Sequence, residues 1–481
     1  MGQRFDLVIR NATVIDGTRA PRYQADIGVS SERISRIGKL KEKGEIEIDG
    51  SGKVLSPGFI DAHTHDDRLM LSAPDMAPKA SQGVTTVVAG NCGVSLAPLV
   101  LGKRAAPPPL DLIGDASWYR FKSFSEYVKT LEEKPAATNA ALLVGHTTMR
   151  VVSMSDLDRP ASQKEIGQMQ GMVQEALDAG AIGVSTGLYY EPARAAPTEE
   201  VIEVCRPLTA RKALYCTHMR DEGDHVTDSL EETFRIGREL GVPVVVSHHK
   251  VVGTPNHGRS RETLPLIAER MKSQGIGLDC YPYCASSTIL TADRAALGSK
   301  TLVTWSKPHP EFAGQDLAEI AKTMGLSQAD AANRLVPAGA IYFTMDEADV
   351  QRVLAFEHTM VGSDGLPHDA APHPRLWGTF PRVLGHYSRS LGLFPLETAV
   401  YKMTGLTART FGLKDRGVLK EGAYADLCLF DAETVDEAVT FAHPIKPAIG
   451  IEAVITNGTI VWRDGKATGA RPGRVLRRTP G

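Results

Sequence analysis

The 481-residue chain is 42% hydrophobic and 23% charged with a formal charge of -3, a globular composition with no basic excess for nucleic acid and no stretch apolar enough to span a bilayer. Its length exceeds one ordinary core but suits an α/β barrel of roughly 250 residues or more with a second domain. Six cysteines (Cys92, Cys205, Cys216, Cys280, Cys284 and Cys428) without paired spacing, and a start without a long apolar region, point to reduced thiols in a cytoplasmic protein.

Residues 5 to 57 read as short segments (Leu7 to Arg10, Ala25 to Val29, Arg33 to Ile37, Ile46 to Asp49) punctuated by Gly and Asn, the pattern of a small antiparallel sheet. The end of the chain repeats it, with strands at Ala425 to Phe430, Ile451 to Ile455 and Thr459 to Arg463 and a hairpin turn at Asn457-Gly458. Neither end has strands enough to close a core alone, so 1–57 and 411–481 are expected to form one β-sandwich domain.

Between them apolar runs alternate with helix-like segments, the sign of parallel strands with crossover helices. The runs begin at Gly58, Val84, Ala140, Ala181, Ala213, Val242, Gly275 and Thr359, eight in all, which predicts a closed (β/α)8 barrel over 58–410. About 75 residues separate the last two, far more than a usual crossover. Residues 286–342 are therefore read as an insertion over the barrel mouth, helical over Gln315 to Met324 and Gln328 to Leu335.

Active sites in such barrels sit at the carboxyl ends of the strands. Strand one ends in His63 and His65, one residue apart and so on the same side of an extended chain. Strand two ends in Asn91-Cys92-Gly93, strand three in His146, strand five in His218, strand six in His248-His249-Lys250, strand seven in Tyr281 and strand eight in Asp364. Imidazole, thiolate and carboxylate converging on one rim are the donors of a zinc site. His249, next to His248, points away and is assigned to packing; His146 is read as a substrate or supporting contact rather than a ligand. Cys216 and Cys280 are read as core thiols, and Asp66 and Asp67 as helix caps or supports for the histidines.

Ser56-Pro-Gly-Phe-Ile-Asp-Ala-His63-Thr-His65-Asp-Asp, Gly83 to Gly93, Thr217-His218-Met-Arg220, Val246-Ser-His248-His-Lys250, Gly362-Ser-Asp364-Gly and Pro372-His-Pro-Arg375 together resemble the amidohydrolase superfamily, and within it the N-acyl-D-amino-acid deacylases. Many superfamily members bridge two metals with a carboxylated lysine at the end of strand four, where this chain has Ser185-Thr-Gly187. The resemblance implies that Cys92 replaces it, with a tight zinc on Cys92, His218 and His248 and a weaker second site on His63, His65 and Asp364. Amide hydrolysis also needs a general base, and Asp364, at the end of strand eight beside the metal, is the expected one, a ligand role alone being the other reading.

For the substrate, the resemblance assigns the α-carboxylate to Arg375, Lys250 and Tyr281, with Tyr190 near the scissile carbonyl or acyl group. Ser287, Ile289, Leu290 and Arg294 of the insertion are expected to line the side-chain pocket. Arg294 either pairs a second carboxylate, favouring D-glutamate, or makes a surface salt bridge. The expected substrates are N-acyl-D-amino acids with hydrophobic side chains such as D-Met. The alternatives are N-acyl-D-glutamate, or a cyclic amide of the hydantoinase kind, which the missing lysine and Cys92 oppose. A nucleobase deaminase would need a proton-shuttling Glu near His218, for which Glu222 is the candidate. Nothing in the sequence sets an oligomeric state.

Overall fold

The computed structural model describes residues 4–479; the first three and last two residues of the expected end segments lie outside it. Eight parallel strands form the barrel in chain order: Phe59–Asp61, Val84–Ala89, Asn139–Gly145, Gly183–Gly187, Leu214–His218, Val244–Val246, Ile276–Cys280 and Thr359–Val361. The last meets the first through Ala62 N donating to Val361 O (3.1 Å) and Asp364 N donating to His63 O (2.8 Å). Because parallel strands are covered on both faces, all eight are buried along nearly their whole length and most read as largely apolar runs. Along the second strand Val87 and Ala89 face the helices, while Val88 joins Ile60, Leu143, Leu214 and Met360 inside the barrel. Leu406, Phe411 and Leu413 belong to that inner core.

The two chain ends share one nine-stranded sheet. Its first strand, Phe5–Val14, pairs with Gly44–Asp49 along one half and with Val54–Pro57 along the other, bending at a bulge by Asn11. Val54–Pro57 also pairs with Leu427–Phe430, so the barrel's first strand issues directly from the junction of both ends. The Asn457-Gly458 turn has positive φ at both residues (47° and 78°), as a tight hairpin requires. Val475–Leu476 returns to the barrel and pairs with Ala140 and Ala141 of the third strand.

The insertion carries helices Leu317–Met324 and Gln328–Leu335, and also a three-stranded antiparallel sheet that the sequence reading lacked: Ser286–Ile289, Thr301–Ser306 and Ala338–Tyr342. These strands are short, the first two rich in Ser and Thr, and the apolar residues that unite them (Leu290, Val303, Leu317, Ile320, Leu335, Tyr342) come from the whole length of the segment. Among the described residues no helix is long and apolar enough to cross a membrane.

Candidate metal centre

Six side chains meet at the carboxyl ends of the barrel strands, all buried. His63, His65, Cys92 and Asp364 form one group and Cys92, His218 and His248 another, the donor atoms of each lying within 4.8 Å of one another. Cys92 belongs to both. Its Sγ is 3.3 Å from His63 Nε2 and 3.3 Å from His248 Nε2, and His218 Nδ1 lies 3.0 Å from His248 Nε2. Asp364 Oδ1 is 3.2 Å from His65 Nε2 and 3.5 Å from His63 Nε2.

Left-handed backbone aims three of these donors. Cys92 (φ 54°), His248 (φ 37°) and Asp364 (φ 49°) all adopt it, at about 1–3 kcal/mol each, a strain that persists where the surrounding fold over-determines it. The strand-four end supplies part of that surrounding. Ser185 Oγ donates to Gly90 O (2.5 Å) and accepts from Gly93 N (3.0 Å), so it clamps both sides of the Cys92 turn. A Cβ on Gly187 would stand 2.2 Å from Cys92 O, which explains glycine there.

The donors fit zinc. Cys92, His218 and His248 would supply one thiolate and two imidazoles, a three-ligand set of the kind that catalytic zinc sites use. Burial alone would raise the Cys92 thiol, but the His63 and His248 imidazoles outweigh it and hold it well below the usual thiol range, in the thiolate form a metal needs. The second group, with two imidazoles and a carboxylate beside the same cysteine, would suit a second ion.

Supporting residues include Asp279 and Lys79, to which the sequence assigned no role, and Glu222, named there only as the proton shuttle of a deaminase. Asp279 Oδ1 accepts from His248 N (3.0 Å) and lies 3.6 Å from His63 Nδ1. Lys79, fully buried, donates to Asp61 (2.8 Å) and Ser363 Oγ (2.7 Å), and Ser363 N donates to Asp61 Oδ1 (2.7 Å), so one lysine ties the ends of strands one and eight. Glu222 lies beneath both histidines, 3.1 Å from His248 Nδ1 and 3.6 Å from His218 Nε2. Asp66 pairs with Lys79 (3.4 Å) and Asp67 accepts from Gly90 N (3.1 Å), so neither caps a helix nor holds a histidine, a correction to the expectation.

The expected substrate residues surround the same mouth. Arg375, fully buried, places NH1 2.9 Å from Asp364 Oδ2, donates from NH2 to Ser287 O (3.1 Å), and stacks 4.4 Å over the Tyr281 ring. Lys250 Nζ donates to Glu222 Oε1 (2.6 Å) and lies 2.8 Å from His248 Nδ1. Tyr190 packs 5.0 Å from the His218 ring, with its hydroxyl 2.9 Å from Thr288 Oγ1 of the insertion. Arg294 is 5% exposed, between the Tyr189 and Tyr342 rings, and its NH2 lies 3.8 Å from Glu222; the surface salt bridge is ruled out by that burial. Ser287 and Leu290 are buried and Ile289 half-buried. His146 faces Glu200 (3.8 Å), outside both donor groups, and His249 Nε2 turns away to Thr263 Oγ1 (2.9 Å).

A family model described as "Amidohydrolase family" matches residues 47–272 and 317–462. A D-aminoacylase of Alcaligenes xylosoxydans xylosoxydans is 58% identical over 479 residues, covering 99% of this chain and 98% of that protein. A crystal structure of D-aminoacylase aligns with a TM-score of 0.96 at 59% identity over 98% of this chain and all of that one; another, at 58% identity and the same TM-score and coverage, concerns a binuclear metal center with one-metal activation and second-metal attenuation. An N-acyl-D-glutamate deacylase from Bordetella bronchiseptica, complexed with zinc and a phosphonate mimic of the tetrahedral intermediate, aligns with a TM-score of 0.95 at 46% identity over 99% of this chain and 100% of that one.

Proposed function

The chain belongs to the amidohydrolase family, and from that premise we infer its reaction: it is a zinc-dependent hydrolase that splits N-acyl-D-amino acids into a carboxylate and a free D-amino acid. The observation that carries this reading is Cys92 Sγ at 3.3 Å from imidazoles of both donor groups, at a site whose fourth strand ends in serine and glycine rather than lysine. A cyclic amide hydrolase of the hydantoinase kind lacks that support.

When bound, zinc polarises the amide carbonyl and lowers the pKa of a coordinated water toward about 7. Asp364 takes the proton of the attacking water and returns it to the nitrogen as the C–N bond breaks, because an amide anion leaves poorly. Burial would raise the Asp364 carboxyl, but Arg375 outweighs it and holds it well below the usual carboxylate range. A substrate carboxylate that engages Arg375 loosens this hold and makes Asp364 a better base. Arg375 Nε has no hydrogen-bond partner, so the guanidinium fork has a donor to spare for that carboxylate. Lys250 and Tyr281 complete the carboxylate site, and Tyr190 stands beside the acyl group. Three anchored points then leave room for the side chain of one enantiomer only.

The side-chain pocket, with Leu290 and Ile289 beside Ser287, favours hydrophobic residues such as D-Met, since the charge of Arg294 is offset by Glu222 at 3.8 Å. The burial of Arg294 supports a second reading, preference for D-glutamate. Amine release from D and L forms of N-acetylmethionine and N-acetylglutamate tests all of this. Turnover of D forms only, lost on zinc removal, is expected, with D-Met ahead; turnover of L forms, or of none by zinc-loaded protein, overturns it.

A further inference from the structure

Glu222 follows the fifth strand, four residues beyond His218, and is 5% exposed. Its carboxylate touches four groups. Oε1 accepts from Lys250 Nζ (2.6 Å) and lies 3.1 Å from His248 Nδ1; Oε2, without a hydrogen-bond partner, lies 3.6 Å from His218 Nε2 and 3.8 Å from Arg294 NH2. In both histidines the nitrogen facing Glu222 is the one turned away from the other donors, because His248 Nε2 faces Cys92 and His218 Nδ1 faces His248. A carboxylate behind a ligating imidazole fixes its tautomer and ring orientation. Here one carboxylate stands behind two imidazoles and also between two cations of the substrate site.

We propose that Glu222 is a positioning residue that couples the two halves of the centre: it orients His218 and His248 as metal donors and, as counter-ion to Lys250 and Arg294, sets the balance between hydrophobic and acidic substrate side chains. The selectivity half rests on the deacylase reading. Glu222 lies behind the donor nitrogens rather than in the mouth, so it is not a proton shuttle to substrate as in a deaminase.

The test compares wild type, Glu222→Gln and Glu222→Asp. Affinity for zinc alone is read by competition with a chromogenic chelator, and kcat and KM are measured at saturating zinc for N-acetyl-D-methionine and N-acetyl-D-glutamate. Glu222→Gln should bind zinc about 10- to 100-fold more weakly. Its Glu-to-Met ratio of kcat/KM should rise about fivefold or more, because Arg294 loses its counter-charge. Adding Arg294→Leu should abolish that rise. Glu222→Asp keeps the charge at shorter reach; it should fall between the other two on both readouts, and it decides the matter if the Gln variant does not fold. Zinc affinity within twofold of wild type, or an unmoved ratio, overturns the coupling. If wild type turns over neither D substrate, the deacylase reading and the selectivity half fall together, and the zinc comparison still decides the histidine half.

Discussion

Cys92 supplies the negative charge around which the other donors gather, and it is the one donor common to both groups. Cys92→Ala should therefore lose zinc and activity together, measured by metal analysis and amine release. Asp364→Ala leaves Cys92, His218 and His248 in place; it should keep zinc near one equivalent while kcat falls by about 10²–10⁴. A zinc-free Asp364→Ala protein would make Asp364 chiefly a ligand. Arg375 reaches Asp364 and Ser287 with different nitrogens of one planar fork, which lysine cannot reproduce. Arg375→Lys should raise KM by about 10- to 100-fold, the worth of a charged hydrogen bond, with a smaller change in kcat. The donors themselves were legible because a chemically rare residue stands at strand end after strand end. Asp279 and Lys79 were not, and Glu222 stood out only as a deaminase-type shuttle: a lone acid or lysine in sequence looks the same whether it faces water or lies behind a ligand.

At the scale of elements, the insertion is joined to the site at its roots. His373 accepts from Arg375 N (2.9 Å) and donates to Ala285 O (3.0 Å), so the start of the Arg375 helix and the start of the insertion are fastened to one imidazole. Farther along this seam Ala371 N donates to Thr304 O (3.0 Å), and burial raises the nearby Asp369 carboxyl to about 7, with the Thr304 hydroxyl and Arg375 opposing and Asp111 reinforcing the shift. Asp111 is likewise raised by burial to about 7, against the opposing charge of Lys307. Because the folded value of Asp369 exceeds the unfolded one of about 4, its favourable contribution is full below pH 4 and is lost as pH rises through about 7. Asp369→Asn avoids that loss, so its Tm should exceed the wild-type value more at pH 8 than at pH 5; a gap independent of pH would refute a charged, buried Asp369. The helices of the insertion were readable from their apolar spacing, whereas its sheet was not, since strands of only four to six residues carry little periodic signal.

Across the whole molecule, the β-domain contributes to the wall of the site. Residues 431–450, between two of its strands, place Phe441 against Phe343 (4.8 Å) at the end of the insertion and against His373 (5.1 Å), while Glu437 accepts from Tyr283 (2.5 Å). A zinc held by Cys92, His218 and His248 would fasten the ends of strands two, five and six, and would so favour the folded chain over the unfolded one. Chelation should lower Tm by several degrees, matching about 4 kcal/mol at free zinc a thousandfold above Kd, and Cys92→Ala should show no such response in calorimetry. The sequence by itself determined the barrel, its strand count, the joining of the two ends and which side chains gather at the strand ends, because burial on both faces and strand-end chemistry leave local, periodic traces. Only the tertiary structure decided which carboxylates stand behind which histidines, that Arg375 holds Asp364, that Arg294 is buried beside Glu222, and that residues 431–450 brace the mouth. Some of those contacts join residues far apart in the chain, Tyr283 and Glu437 being 154 positions apart, and all of them are set by the packing of the closed barrel, which no local pattern encodes.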